Sequence, residues 1–427
     1  MSIAVDVRVA SVAELVEVLE RGGPPAEVQV AGTLEGVPPL TLPPGWALAG
    51  RPEAELVFAP GGDGIRLTGG NRLARLRLET APDRAAVSAD TSAADLGTVE
   101  LADLTVAGRV EIAAEGALRT GHVVVSGLHL EAADARAAGP RPAGYGVEVL
   151  PGAFTLHNRQ PDEGSLLTAD LSRITAGAPH APVRGSGVFV SGTRDGGRVE
   201  AVRLRTGEIH SDGGLAPGTA DRITAGVFVG HGAEVREVLT EGPVTTYGAN
   251  DMVLDLWGRA DVWTATAPLT SHGASGIGFV NFGDIGRLRV TAPIETHGTG
   301  ARGFNLYDGT IDIIEFDRIR THGDAAVGIQ LSRPFGALTV FNGVRTSGGT
   351  GDSLVKGEIR KLPATGISLL PGTAGGAVRV NGGVLVDADG VPALDVRGTV
   401  ADIAVTGGVG RAAPATGREA ARERDRP

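Results

Sequence analysis

The sequence predicts an all-β solenoid, a parallel β-helix whose coils each take about 25 residues. Strand-like alternation, as in Leu288-Arg-Val290 and Ile294-Glu-Thr296, is broken by turn residues. With 66 Gly, 25 Pro and 4% aromatic residues, the chain contains more turn-forming residues than a helical protein can accommodate. Leucine-rich repeats share the period, but their Leu-x-x-Leu-x-Leu-x-x-Asn pattern is absent. The period itself is marked by one glycine every 25 residues: Gly248, Gly273, Gly298, Gly323 and Gly348.

Charge and residue types exclude several classes of protein. A formal net charge of −11 disfavours a nucleic-acid partner, and it disfavours a polyanionic substrate unless a basic strip forms locally. The absence of cysteine excludes disulfides, thiolate metal sites and cysteine nucleophiles. No apolar run approaches the ~18 residues of a membrane-spanning helix, and the first residues lack signal-peptide features. We therefore expect no membrane association and a cytoplasmic protein, or a secreted one if a leader was removed.

The first element, over residues 1–25, is predicted to be a strand followed by a capping helix. Ser11 and Glu14 form a capping box, apolar residues follow at helical spacing, and Gly22-Gly23 ends the segment. A short amphipathic helix at this place can cover the open apolar end of the first coil.

The β-helix itself is predicted over residues 26–405, with loop insertions around 132–219. In solenoids such insertions gather on one face, which is often the binding face. Gly146-Val-Glu-Val, Gly187-Val-Phe-Val and Gly226-Val-Phe-Val are interpreted as one strand position in three consecutive coils. Residues 406–427 are predicted to form a disordered tail, because Ala, Pro, Gly and charged residues dominate it.

The segment Pro-Pro-Gly-Trp46-Ala-Leu-Ala-Gly, the capping helix and the 25-residue ladder together resemble the right-handed parallel β-helix, or pectin-lyase-like, superfamily. The resemblance covers about residues 26 to 405 and concerns architecture. It implies a single-stranded, right-handed parallel β-helix. Most characterised members act on polysaccharides as lyases, hydrolases or epimerases, and others are phage tailspikes or intracellular assembly domains.

The first candidate feature is a row of residues one period apart, which parallel stacking places above each other at ~4.8 Å. Inward-facing Ile294 and Thr296 put Glu295 and His297 on the outside. Imidazoles in a row can act as acid–base groups or metal ligands, or they can simply stack at a corner. Because evenly spaced side chains converge poorly on one ion, we expect no metal and no cofactor. The row comprises Tyr247, His272, His297, His322 and Ser347.

A second row comprises Trp257, Phe282, Tyr307 and Ser332. If Leu254, Phe279, Phe304, Ile329 and Leu354 point inward, then Asp255, Asn305 and Gln330 point outward together with the aromatic row. An exposed aromatic strip beside amide and carboxylate groups suits a sugar, whose ring faces stack while its hydroxyls bond. The alternative is ordinary aromatic stacking over a sheet face.

Motifs of particular enzyme families are incomplete. Gly230-His231-Gly232 matches one element of the series shared by polygalacturonase-like hydrolases, but no Asp-Asp precedes it and no Arg-x-Lys follows at a fitting distance. No carboxylate cluster resembles the calcium site of pectate-lyase-like enzymes. Polar residues of the regular coils can act on a substrate, or they can satisfy backbone groups at corners.

Two functions remain open. The first is a carbohydrate-active β-helix protein that binds or processes a glycan or sugar-derived ligand; the alternative is a non-catalytic scaffold or protein-interaction module. Whether the chain is an enzyme, and its oligomeric state, do not follow from the sequence. The catalytic candidates are His272, His297, His322, Arg302, Tyr307, Asp308 and Asp251. The substrate-binding candidates are Trp257, Phe282, Asn250, Asn281, Asn305, Gln330 and Lys356.

Overall fold

The computed structural model describes residues 5–355 and 358–412. Strands form 58% of the chain and helix 2%, and parallel sheets of 26 and 15 strands wind through it, so the predicted parallel β-helix is confirmed. Lys356 and residues 413–427 lie outside the described residues. Among those described, no helix has the length and apolarity that crossing a membrane requires.

The N-terminal half begins with one strand and the helix and continues in coils of uneven length. Its elements are β1 (Val5–Val9), α1 (Val12–Arg21), β2 (Ala26–Val30), β3 (Thr33–Val37), β4 (Leu40–Leu42), β5 (Ala47–Gly50), β6 (Glu55–Phe58), β7 (Ile65–Leu67), β8 (Arg72–Ala74), β9 (Arg77–Glu79), β10 (Ala85–Ala89), β11 (Asp95–Ala107), β12 (Arg109–Ala114), β13 (Thr120–Ala132), β14 (Ala143–Gly144), β15 (Val147–Val149), β16 (Gly152–Asn158), β17 (Leu166–Ala176), β18 (Val183–Arg184), β19 (Ser186–Ser191), β20 (Arg198–Asp212) and β21 (Arg222–Val229).

The C-terminal half contains the regular coils. Its elements are β22 (Ala233–Thr240), β23 (Val244–Thr246), β24 (Asp251–Leu256), β25 (Arg259–Ala265), β26 (Leu269–Ser271), β27 (Ile277–Asn281), β28 (Asp284–Val290), β29 (Ile294–Thr296), β30 (Arg302–Leu306), β31 (Thr310–Phe316), β32 (Ile319–Thr321), β33 (Val327–Leu331), β34 (Phe335–Val340), β35 (Val344–Thr346), β36 (Thr350–Val355), β37 (Glu358–Pro363), β38 (Ile367–Leu369), β39 (Ala374–Val380), β40 (Val384–Val386), β41 (Leu394–Val396), β42 (Thr399–Val405) and β43 (Val409–Arg411).

Each regular coil contributes one strand to each of three faces. The first face contains β22, β25, β28 and β31, the second β23, β26, β29 and β32, and the third β24, β27, β30 and β33. The first two faces belong to the 26-stranded sheet, because long strands such as β20 pair with strands of both. The third face is the 15-stranded sheet and carries the insertions.

The core is a continuous apolar column inside the coils, with Trp263, Phe279, Phe304 and Phe316 among its largest fully buried side chains. The helix α1 closes its N-terminal end by burying Leu15 and Leu19. Its predicted cap is present: Ser11 Oγ accepts from the Glu14 N–H at 3.3 Å, and Glu14 Oε2 accepts from the Ala10 N–H at 2.8 Å.

The glycine repeat has a steric cause at the corner between the second and third faces. A Cβ atom on Gly273 would lie 1.7 Å from the carbonyl oxygen of Gly248, and one on Gly323 would lie 2.1 Å from that of Gly298. The coils therefore approach so closely at this corner that only hydrogen fits. Backbone proximity, rather than an unusual φ angle, explains the recurrence of glycine.

Three details of the prediction from the sequence are wrong. The hairpin β36–β37 is inserted after the last regular coil, so Ile367 rather than Leu354 continues the row of Ile329. The segment from Gly146 belongs to the 132–219 insertions, whereas the coil continues through β16, where Phe154 pairs with Val188. Strand β43 extends the coils beyond residue 405, into the range predicted to be disordered.

Candidate functional site

The insertion between β13 and β16 folds back over the outer surface of the third face. Its residues 140–149, here called the flap, include the hairpin β14–β15, and β15 pairs with β21 through Glu148 and Arg222. Gly144 allows this approach, because a Cβ atom there would lie 2.7 Å from the Trp257 ring and 2.8 Å from His231 Nε2. The flap thus covers part of the face on which insertions gather.

Tyr145 attaches the flap to the aromatic row. Its ring stacks on Phe282 at 4.3 Å between centroids and meets Trp257 edge-on at 5.2 Å. Its hydroxyl donates to the Phe282 carbonyl at 3.3 Å. These rings join a second apolar cluster outside the main core, which includes Phe228 and Met252. The cluster stabilises the packing of the flap against the third face.

Beside the aromatic cluster, the flap and three loops of the third face enclose a cleft of about 290 Å³. We call it the basic cleft, because three arginines and two histidines line it. Such a volume is at the lower end of the range for small-molecule sites. Its lining comprises Pro140, Arg141, Pro142, Ala143, His157, Arg159, Gly192, Thr193, Arg194 and His231.

His157 forms the floor of the basic cleft and is 3% exposed. Arg159 Nε donates to His157 Nδ1 at 3.3 Å, and since a guanidinium cannot accept a hydrogen bond, Nδ1 carries no proton. Burial and the neighbouring Arg159 charge lower the pKa of His157 to about 3, although a hydrogen bond to the Gly192 backbone acts in the opposite direction and raises it. The imidazole is therefore neutral at physiological pH. The charge of Arg159 is offset by Glu111 at 2.6 Å and Glu115 at 3.0 Å.

Arg194 and His231 form the opposite wall. Arg194 Nη2 donates to His231 Nε2 at 2.9 Å, and its guanidinium lies over the Tyr145 ring at 5.6 Å from the centroid. Burial and the Arg194 charge lower the pKa of His231 to about 4, so this imidazole is also neutral. Within the described part of the chain, no carboxylate lies within 4 Å of the Arg194 guanidinium. Because no described carboxylate neutralises it, the Arg194 guanidinium can pair with an anionic ligand.

A larger depression of about 630 Å³ lies on the other side of the flap. It is more open, and its charges already face each other: Arg141 lies 3.8 Å from Glu148, and Arg222 lies 3.6 Å from Asp221. The basic cleft therefore offers the better-formed anion site.

The structure separates the two rows predicted to share a groove. The histidine row lies where the third face begins, before β27 and β30, whereas the aromatic row lies where these strands end. The expected exposure of the aromatic strip is wrong for Trp257, which is 3% exposed, and Phe282 and Tyr307 are half-buried. The side chains project outward from the coil as predicted, but the flap covers part of the row.

The histidine row is a stack of nearly parallel rings. Centroids are 5.0 Å apart for His272 and His297 and 4.7 Å apart for His297 and His322, with interplanar angles of 12° and 7°. Tyr247 continues the stack on one side, and Ser347 Oγ lies 3.2 Å from His322 Nδ1 on the other. Burial and a neighbouring imidazole lower the pKa of His272 and His297.

Four of the remaining candidates have backbone or ion-pair partners. The Asn250 amide donates to the carbonyls of Thr219 and Arg222, and the Asn281 amide to those of Gly283 and Asp308. The buried Asp251 carboxylate accepts from the Gly213, Gly248 and Thr224 donors, and burial raises its pKa to about 6. Asp308 pairs with Arg333 at 2.8 Å. These contacts stabilise corners and loops.

A further group lies beneath the hairpin β36–β37. Arg302 is 5% exposed and donates to the Gly300 carbonyl at 3.1 Å, with longer contacts to Gln330 at 3.4 Å and Ser353 at 3.5 Å. Burial lowers the pKa of the Arg302 guanidinium and raises that of the Tyr307 phenol. The Asn305 amide is buried without a hydrogen-bond partner among the described residues. These residues therefore form a covered polar patch, not an open groove.

Asp255 is the most unusual carboxyl group of the third face. It is fully buried, and neither oxygen has a hydrogen-bond partner in the described part of the structure. Burial raises its pKa well above the ordinary value, which favours the protonated form.

The residues of the basic cleft were not among the sequence candidates. Periodicity does not mark them, since apart from His157, at the end of β16, they lie in insertions and loops of unequal length. The available signal was the pair of His157 and Arg159 at the start of one polar loop, together with His231 in the Gly-His-Gly segment. Comparisons with models of protein families, with curated proteins and with solved structures found no match to this chain.

Proposed function

We propose that the protein is a carbohydrate-active β-helix protein of pectin-lyase-like architecture that binds an acidic saccharide in the basic cleft. The main support is that Arg194 has no carboxylate partner among the described residues. It lies in a cleft whose two histidines are neutral. A planar guanidinium fork matches the carboxylate of a uronic acid. The net charge of −11 opposes such a ligand at long range, so the local cleft has to supply the attraction.

The remaining walls suit a sugar ring. Pro140, Pro142 and Ala143 give apolar contact on the flap side, while the Thr193 hydroxyl can accept a hydrogen bond from a sugar hydroxyl group. The arrangement supports binding of one end or one residue of an oligosaccharide.

The test is calorimetric titration of the full chain with uronic-acid oligosaccharides and with neutral oligosaccharides of equal length. We expect saturable binding of the acidic series that weakens with salt, and about tenfold or greater loss in Arg194→Gln, since a charge-assisted hydrogen bond contributes about 1.5–3 kcal/mol. Arg259→Gln is the matched control, because Arg259 is exposed, pairs with Asp261 and lies on the first face. New reducing ends or unsaturated products in the same mixtures would show turnover.

Equal affinity for neutral and acidic sugars, or unchanged affinity in Arg194→Gln, would overturn the assignment of the cleft. No binding of any saccharide, with the variants folded, would favour the scaffold alternative.

A further inference from the structure

A second site follows from the histidine row, independently of the basic cleft. The residues immediately before it, Thr246, Ser271, Thr296 and Thr321, are paired in register across β23, β26, β29 and β32. The sheet therefore sets the spacing of the imidazoles, and the parallel rings of His297 and His322 lie 4.7 Å apart.

One coil adds a carboxylate to this pair. Glu295 lies two residues before His297 and so projects on the same side of the strand. One ligand atom each from Glu295, His297 and His322 lies within 4.8 Å of the other two. In the neighbouring coils the position of Glu295 is occupied by Thr270 and Arg320. The row thus contains one place, among the coils from β23 to β35, where two imidazoles and an acid meet.

We propose that Glu295, His297 and His322 bind a divalent transition-metal ion, represented here by Zn²⁺. Two imidazole nitrogens and one carboxylate oxygen are ligands that Zn²⁺ accepts, and three protein ligands leave one tetrahedral position open for water or a substrate group. Bond lengths of about 2.0–2.2 Å require ligand atoms about 3.3 Å apart, so binding requires the two exposed imidazoles and the Glu295 side chain to rotate towards a common point. This departs from the expectation of no metal drawn from the sequence, because that expectation considered the imidazoles alone.

One competitor is present. Arg320 Nη1 lies 3.8 Å from Glu295 Oε1. An ion pair of this length between partly exposed side chains contributes little free energy, so a metal ion displaces it. His272 stacks on the other side of His297 but has Thr270 where His297 has Glu295. It therefore serves as a control within the same row.

The experiment titrates the full chain, prepared without a histidine tag and freed of metal, with Zn²⁺ by calorimetry and with Co²⁺ by visible absorption. We expect one ion per chain with micromolar affinity, and Co²⁺ bands of the intensity typical of four-coordinate sites. Glu295→Gln and His322→Gln should each weaken binding at least about tenfold, whereas His272→Gln should change it less than about threefold.

Three results would overturn the proposal: no saturable binding, a stoichiometry other than one, or equal weakening by His272→Gln and His322→Gln. Circular dichroism of each metal-free variant separates loss of the site from loss of the fold. Because these residues do not line the basic cleft, failure of this site leaves the saccharide proposal standing, and the reverse also holds.

Discussion

Acidification should destabilise the protein through His157, and replacing this histidine should remove that part of the pH dependence. The pKa of His157 is about 3 in the folded chain, against an ordinary value of 6.5. Because the folded pKa is the lower one, the unfolded chain binds the proton first, and stability is lost as pH falls below 6.5 towards 3. At pH 4.5 the loss is about 2.7 kcal/mol, from about 1.4 kcal/mol per pH unit.

The variant His157→Gln keeps an acceptor for Arg159 and a donor for the Gly192 backbone, but its side chain does not titrate. Urea unfolding at pH 7.5 and 4.5 measures the free energy of unfolding that each protein loses on acidification. We expect the wild type to lose about 2–3 kcal/mol more than the variant. His129→Gln controls for removal of a histidine at an exposed position, where the imidazole bonds Thr175.

Equal losses in the wild type and His157→Gln would show that protonation of His157 does not cause the loss of stability. So would a proton NMR titration in which the His157 imidazole of the folded protein becomes charged above pH 5.

Three further outcomes are expected. In urea unfolding, Asp255→Asn should be more stable than the wild type at pH 8, and the difference should shrink towards pH 4. Burial raises the pKa of Asp255 in the folded chain, so the wild type loses stability as pH rises above 3.8. Gly273→Ala should lower the unfolding free energy by at least about 3 kcal/mol, since its Cβ would lie 1.7 Å from the Gly248 oxygen. The control Gly349→Ala, whose Cβ would have Asp324 Oδ1 at 3.4 Å as its nearest atom, should change it by less than about 1 kcal/mol. Trp263→Ala should cost about 3–5 kcal/mol by the same measurement, because the indole is fully buried in the column, and a loss below about 1 kcal/mol would contradict that placement.

The fold was predictable because close backbone contact between the coils imposes the glycine repeat. Gly273 and Gly298 recur where coils touch, and the alternation of Ile294 and Thr296 with Glu295 gives the inner and outer sides of a strand. The same regularity hid the hairpin β36–β37: Gly348 keeps the period, and Leu354 is an apolar residue at the expected distance. Periodicity cannot distinguish such a coincidence from a coil position.

The candidate site was less predictable for a different reason. Alternation shows that Trp257 points away from the core, but not that Tyr145, more than a hundred residues earlier, covers it. The basic cleft joins His157, at the end of β16, with Arg141, Arg194 and His231 from an insertion and two loops, and their convergence depends on how each of these segments folds. Side-chain type was informative there, whereas spacing was not.

The attachment of Tyr145 to Phe282 has a consequence for biosynthesis. The two residues are 137 positions apart. Chains fold from the N-terminus during synthesis, so the flap leaves the ribosome before β21, Trp257 and Phe282, the partners that hold it against the third face. On the ribosome the flap can first pair with β21 and then contact Trp257, and its docking is complete only when the coil of Phe282 has folded. Protection of the flap from a protease during translation would therefore report that the growing stack has reached that coil.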